Sequence, residues 1–224
     1  GGYAKGNNFG LRYAKKYNPQ YVSIINNDVH FTKETIDELC KWYEKLPSVA
    51  LITPRQILPG GKEATFTSLA VPTLKSDLAW YNPLGNKKHK YIANTDIEGV
   101  DEVGIIPGAF IFTKYKVFES LGFFDESTFL FCEERFTAKK VELAGLKSYI
   151  ILSETYLHEH STTIRNEASE KRQRQMILDG RLLYHKKYSK HPAFACSLLR
   201  CFYFFNECYL KIYTVARNLK HRIK

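Results

Sequence analysis

Apolar and polar positions along the chain follow two alternating periods. In "NNFGLRYAKKY", Leu11, Ala14 and Tyr17 recur at helical spacing, and "YVSIIN" then forms a short apolar run that reads as a buried strand. "TKETIDELCKWYEKL" predicts an amphipathic helix with Thr32 at its N-cap and Glu34 in its first turn. Ile36, Leu39, Trp42 (or Tyr43) and Leu46 share one face, and Pro47 ends it. "VALITPRQI" is the next strand. "VGIIPGAFIFT" predicts another, broken at its centre by Pro107, Gly108 and Ala109. "KYKVFESLG" reads as a short helix ended by Gly122, "EERFTAKKVELAG" as a helix closed by Gly145, and "KSYIILS" as a strand. Residues 56–102, with "LPGGKEA" and "YNPLGNKKHK", read as loops and short strands of the kind that cover a site. A polar helix is predicted over about 163–188 and an aromatic, basic one over about 195–224, with no internal repeat. The order helix, strand, helix, strand predicts an α/β fold with a mixed, mostly parallel sheet flanked by helices and a C-terminal helical extension. Residues 1–190 are expected to form the main domain and 191–224 the extension.

Composition narrows the class. The chain has 224 residues with 44% hydrophobic and 25% charged positions, the balance of a globular protein rather than a disordered or fibrous one. The formal charge of +10 is unevenly placed: nineteen basic and nineteen acidic residues precede Ser161, and fourteen basic and four acidic ones follow. A neutral body with a basic tail argues against a nucleic-acid clamp and for a tail with its own partner. Five cysteines without a CxxC pair fit a reducing cytoplasm. No run of 18 uncharged apolar residues and no signal peptide is visible. Met176 is the single methionine, and the sequence opens at Gly1 as though inside a motif, so residues are expected to precede it.

Three constellations could carry chemistry. "YVSIINNDV" ends a buried strand in Asn26, Asn27 and Asp28; such a strand end can offer a carboxylate to a cation held by phosphates, or can simply turn. "FFDESTFLFCEERF" sets Asp125–Glu126 and Glu133–Glu134 among phenylalanines, where apolar surroundings raise a carboxyl toward general-base range, although acidic residues also favour a helix start. In "YLHEHS", His158 and His160 fall on one side of a strand and either could ligate a metal. Gly6, Asn8 and Gly10 read as a glycine-spaced loop opening a helix, able to approach a ligand. Gly108 and Ala109 allow close approach of a ligand or a second backbone.

In this order, "GGYAKGNNFGLRYA", "YVSIINNDV", "PGAFIFTKYKVFESLGFFDESTFLFCEERFTAKKVELAG" and "YLHEHS" resemble the family-2 glycosyltransferases of the GT-A fold, in particular rhamnosyltransferase-like bacterial enzymes of polysaccharide and O-antigen synthesis. The resemblance covers about residues 1–165. It implies an inverting transferase that moves a sugar from a nucleotide-diphosphate sugar to a saccharide or lipid-linked saccharide. Asn26, Asn27 and Asp28 would match the DxD-type motif, and Gly6, Asn8, Gly10, Gly108 and Ala109 the donor-binding positions. Glu134 would match the catalytic carboxylate with Glu133 its partner, and His158 or His160 the late histidine that completes a Mg²⁺ or Mn²⁺ site with Asp28. The chain departs from the pattern at Asn26, in place of the first acid, and at Phe136, where an aspartate often follows the pair. The family's nucleobase-binding first strands would lie before Gly1.

The tail mixes Leu198, Phe202, Phe205, Tyr209 and Ile212 with Arg200, Lys211, Arg217, Lys220, Arg222 and Lys224. Such a helix can lie on an anionic leaflet, placing the protein at the inner face of the cell membrane, or pack on its own domain or a second subunit. The alternatives are a sugar-phosphate nucleotidyltransferase, whose glycine- and lysine-rich phosphate loop is not in this sequence, and a basic nucleic-acid-binding protein, whose stripe through the folded core is missing.

Overall fold

The computed structural model describes residues 2–64, 70–83, 97–159 and 167–222. In chain order they form α1 (Tyr3–Ala14), a 3₁₀ turn (Lys15–Tyr17), β1 (Tyr21–Ile25), β2 (Val29–His30), α2 (Lys33–Lys45), β3 (Val49–Ile57) and α3 (Leu74–Tyr81). β4 (Val100–Val103), β5 (Phe110–Lys114), α4 (Tyr115–Ser120), α5 (Glu133–Leu143), β6 (Lys147–His158), α6 (Glu167–Tyr188) and α7 (Pro192–Arg222) follow. The sheet order is β1-β5-β3-β6-β2, with β4 also on β6. β3 and β6 pair in parallel, and β5 lies antiparallel between β1 and β3, so β1, β3 and β6 all run one way. β2 and β4 run against β6. The α/β class with a mixed sheet flanked by helices is thus as expected.

Strand alternation distributes the core to both faces of the sheet. Leu51, Ile111 and Ile150 point to one side, where they meet Ala4 and Leu11 of α1, Phe118 of α4 and Val141 of α5. Ile52, Phe110, Phe112, Tyr149 and Ile151 point to the other, against Leu39 and Tyr43 of α2. Tyr43, not Trp42, is the inward aromatic of α2; its hydroxyl donates to the Ala50 carbonyl at 2.8 Å. A third cluster joins α3, α6 and α7 through Tyr81, Leu178 and Leu199.

Four expectations are corrected. Gly6, Asn8 and Gly10 lie inside α1, not in a loop before it, because Ala4, Asn8 and Leu11 already give this segment a buried helical face. "VGIIPGAFIFT" is not one broken strand: Gly104 to Ala109 carry the chain from β4, beside β6, to β5, between β1 and β3. The 56–102 excursion contains a helix, α3, closed at its start by reciprocal Thr73 and Ser76 hydrogen bonds. β6 extends through the histidine motif to His158.

Proline opens α7 at Pro192, the position where a missing N–H costs least. Its first half is buried at Ala195 and Leu199, and Asn206 Nδ2 donates to the Tyr81 carbonyl at 3.0 Å. Further on, Phe204, Phe205, Ile212, Tyr213 and Val215 are exposed. Among the described residues no helix is long and apolar enough to cross a membrane.

Candidate active site

Asn26, Gln56 and His158 stand at the carboxyl ends of β1, β3 and β6, and all three face one cavity of about 730 Å³. Parallel strands place ligand sites at this end of a sheet. The other walls are the Pro107–Gly108–Ala109 turn, the start of α5, and residues of α3 and α6.

The Asn-Asn-Asp stretch is both a turn and a delivery device. Val29 N–H donates to the Asn26 carbonyl at 3.3 Å, closing the turn, while Asn26 N–H donates to the Ala109 carbonyl at 3.0 Å. β2 then pairs with the end of β6, Val29 opposite His158. This register brings Asp28 Oδ1 within 3.2 Å of His158 Nε2. Tyr156 Oη donates to Gln56 Oε1 at 3.1 Å, which leaves the Gln56 amide to donate to His158 Nδ1 at 3.1 Å. A neutral His158 so held carries its proton on Nε2, toward Asp28. Asn27 is exposed, and His160 lies outside the described residues.

The acidic pair enters the cavity from the start of α5. Phe131 and Cys132, at φ 71° and 72°, are consecutive left-handed residues immediately before α5. Such non-glycine conformations cost roughly 1–3 kcal/mol each and persist only where the surroundings enforce them. The enforcement comes from α6: Cys132 Sγ contacts the Ile177 carbonyl at 3.6 Å, and a Cβ on Gly180 would stand 2.9 Å from Cys132 Cβ and Sγ. The sharp turn aims Glu134 at Gly108, where a Cβ would sit 3.0 Å from Glu134 Oε1. Tyr3 Oη donates to the Gly108 carbonyl at 2.6 Å.

Burial pushes the Glu134 carboxyl above the usual glutamate range. Glu133 is pushed up by burial and then by the Glu134 charge, and its Oε1 has no hydrogen-bond partner among the described residues. Tyr3 rises well above an ordinary phenol through burial and the two glutamates. One carboxyl of such a pair holds a proton more readily than an isolated glutamate.

The other candidates have different work. Asn8 is buried and spends its amide on the 124–126 turn: Nδ2 donates to the Phe124 carbonyl at 3.0 Å and to Glu126 Oε1 at 2.9 Å, and Phe124 N–H donates to Oδ1 at 3.0 Å. Gly6 and Gly10 are exposed on α1 and line no part of the cavity. Asp125 is held below the usual range, against the effect of burial, by Lys187 at 2.5 Å and Ser127. Glu126 accepts from Asn8 and Arg12. These two acids therefore tie the turn to α6 and α1.

Sequence reasoning did not single out Tyr3, Gln56, Trp80, Arg135, Gly180 and Arg181, nor the buried Asp77 that links three helices. A Thr-x-x-Ser cap before "LAWY" was the available signal for α3.

The fold is an open, mixed α/β sheet similar to the GT-A type. No protein-family model matches the chain. Over 134 residues it is 28% identical to the low-salt glycan biosynthesis hexosyltransferase Agl10 of Haloferax volcanii, a match covering 59% of this chain and 40% of that protein. The chain therefore spans under half the length of this relative. Its fold is similar to that of GalNAc-T7, solved with UDP, GalNAc and Mn²⁺, with a TM-score of 0.52, 11% identity, and coverage of 71% of this chain and 30% of the other.

Among the described residues no group of three His, Cys, Asp or Glu side chains converges on a metal position. Asp28 and His158 suit a divalent cation once His158 Nε2 gives up its proton, which moves the ring hydrogen to Nδ1 and requires the Gln56 amide to turn its oxygen toward it. Two cis ligands at ~2.1–2.2 Å from one ion stand about 3 Å apart, close to the observed 3.2 Å. An oxygen and an imidazole nitrogen fit Mn²⁺ at least as well as Mg²⁺.

Proposed function

We propose that the chain carries the catalytic site of an inverting glycosyltransferase, using a nucleotide-diphosphate sugar as donor and a saccharide or lipid-linked saccharide as acceptor in surface glycan synthesis. The placement of Glu134 carries this reading: a carboxyl of raised basicity, in a cavity that His158 also lines, with Asp28 3.2 Å from the His158 ring. The likeness to a glycan-biosynthesis hexosyltransferase supports it.

Glu134 takes the proton of the acceptor hydroxyl as its oxygen attacks the anomeric carbon, and the bond to the diphosphate breaks on the opposite face of the sugar. Gly108 and Ala109 leave room for the sugar ring, and Asn26 contributes polar contacts at the donor side. Glu133, buried and also lining the cavity, is the partner of Glu134. Asp28 and His158 would hold a Mg²⁺ or Mn²⁺ ion, which neutralises a diphosphate leaving group when bound.

General-base assistance is worth about 10² to 10⁴ in rate. Glu134→Gln should lower sugar transfer from a panel of nucleotide sugars by this amount while donor affinity, measured by calorimetry, stays within a few-fold. Near-wild-type transfer by Glu134→Gln removes the assignment. Asp28→Asn should weaken Mn²⁺ binding read by electron paramagnetic resonance.

The exposed aromatic side of α7 supports a peripheral contact with an anionic membrane surface, at its cytoplasmic face. Replacing Phe204, Phe205 and Ile212 by serine should abolish co-sedimentation with anionic vesicles. Unchanged sedimentation would leave α7 as a packing helix alone.

A further inference from the structure

Beyond Glu134, the cavity wall formed by α3, α5 and α6 holds a second set of charges. Arg135 and Arg181 both line it. They converge on one carboxylate, the buried Asp77: Arg135 Nη2 donates to Oδ2, Arg181 Nη1 lies 3.3 Å from Oδ1, and His185 Nε2 lies 2.8 Å from Oδ2. His185 Nδ1 is satisfied by Ser189 at 2.7 Å. Two guanidinium groups thus share one acid, and the Arg135 charge also acts on the Glu134 carboxyl.

Arg181 is the poorly served member. Its side chain is 8% exposed, and neither Nε nor Nη1 has an aligned acceptor among the described residues. The Arg135 Nε is also without one. A buried guanidinium normally fills its donors, because leaving them unmade costs more than the bonds return. The Arg181 guanidinium lies 4.9 Å from the centre of the Trp80 ring, and Trp80 is 41% exposed and lines the same cavity. Two guanidinium groups that share one carboxylate leave positive charge at the cavity wall, and with an aromatic ring beside them they suit a sugar bearing an oxyanion.

We propose that Arg181, with Trp80 and Arg135, forms a subsite for an anionic group on the acceptor: a phosphate joining it to a lipid, or the carboxylate of an acidic sugar. This rests on the glycosyltransferase reading, since it assigns the anion to the acceptor. The guanidinium groups of Arg181 and Arg135 donate to oxygens of the group, and Trp80 packs beside the adjoining ring.

Trp42 and Trp80 are the two tryptophans. Trp42 packs on α2 and against Gly99, outside the cavity, so Trp42→Phe leaves Trp80 as the sole reporter. Octyl phosphate and glucuronate, titrated separately, should shift its emission saturably, and octyl glucoside should bind at least tenfold more weakly. A response to octyl phosphate alone assigns the lipid phosphate, and one to glucuronate alone the acidic sugar. Arg181→Met should weaken the anion by on the order of 10- to 100-fold, with UDP affinity and the circular dichroism spectrum unchanged. Arg181→Lys, which keeps the charge against Asp77 but not the guanidinium, should fall between. Glu134→Gln, which removes a carboxylate that acts on Arg135, should bind the anion at least as tightly as the parent does, which separates this subsite from failure of the transfer mechanism. Absence of saturable binding by either anion, equal binding of octyl glucoside, or loss of UDP affinity in Arg181→Met overturns the proposal.

Discussion

Gly108→Ala separates the position of Glu134 from the stability of the fold. Gly108 has no positive φ, so an alanine fits its backbone, and such changes stabilise by about 0.4–1 kcal/mol through the unfolded chain. The new methyl would meet one close neighbour, Glu134 Oε1 at 3.0 Å, with Glu134 Cγ and Cδ at 3.5 and 3.6 Å. Relief requires the carboxylate to retreat by roughly half an ångström, to ordinary contact distance. The end of a glutamate side chain can make that move cheaply, so the midpoint of thermal unfolding should hold or rise slightly. A base misplaced by ~1 Å can cost about 10²-fold in rate, so half that displacement predicts a loss on the order of tenfold in kcat. The assay is sugar transfer at saturating donor and acceptor, beside differential scanning calorimetry. An undiminished kcat would show that the Glu134 carboxylate need not approach Gly108, and a large fall in stability would show that the contact is structural.

The raised carboxyl of Glu134 makes a signed prediction about pH. Its folded-state value exceeds its unfolded one, so the native state binds the proton more tightly and this group's contribution falls as pH rises from the unfolded value through the folded one. Glu134→Gln should therefore be more heat-stable than the parent at pH 7 and converge with it under acid conditions, as read by scanning calorimetry at both pH values; a constant difference refutes the ionised cost. Asn8→Ala should lower stability by about 1–3 kcal/mol in urea titrations, through buried partners left unmade, while donor affinity is unchanged. Gly10→Ala, facing open space on a helix, should raise stability by roughly 0.5–1 kcal/mol.

The sequence carried the local parts of this picture further than the long-range ones. Leu39 and its helical partners, the strand at Tyr21–Ile25 and the acidic start at Glu133–Glu134 are recorded within windows of a dozen residues, where periodicity and end signals suffice. The insertion of β5 between β1 and β3 depends on pairings across about ninety residues, such as Ile24 with Ile111, and leaves no short-range mark. Gly6 and Gly10 misled because glycine spacing is a loop signal, whereas Ala4, Asn8 and Leu11 bury this segment as a helix. Arg181 and His185 fall in a segment that reads as a polar helix and Asp77 in one that reads as loop; only packing three helices together makes one buried node of them. Trp80 was hidden for the same reason, in a stretch whose glycines and lysines suggested loop.

Arg135 follows Glu134 directly, and its guanidinium is bound to the carboxylate of Asp77, three residues before Trp80. The axial setting of α5 is therefore gauged from outside its own helix, by a side chain on α3. The two helices behave as a caliper: one jaw ends in the aromatic ring, the other in the carboxyl, and the rivet between them is a single aspartate. Exchanging the 56–102 excursion between proteins of this fold would leave Glu134 in the sequence and remove the gauge that sets it, so grafts meant to change specificity must carry Asp77 with them.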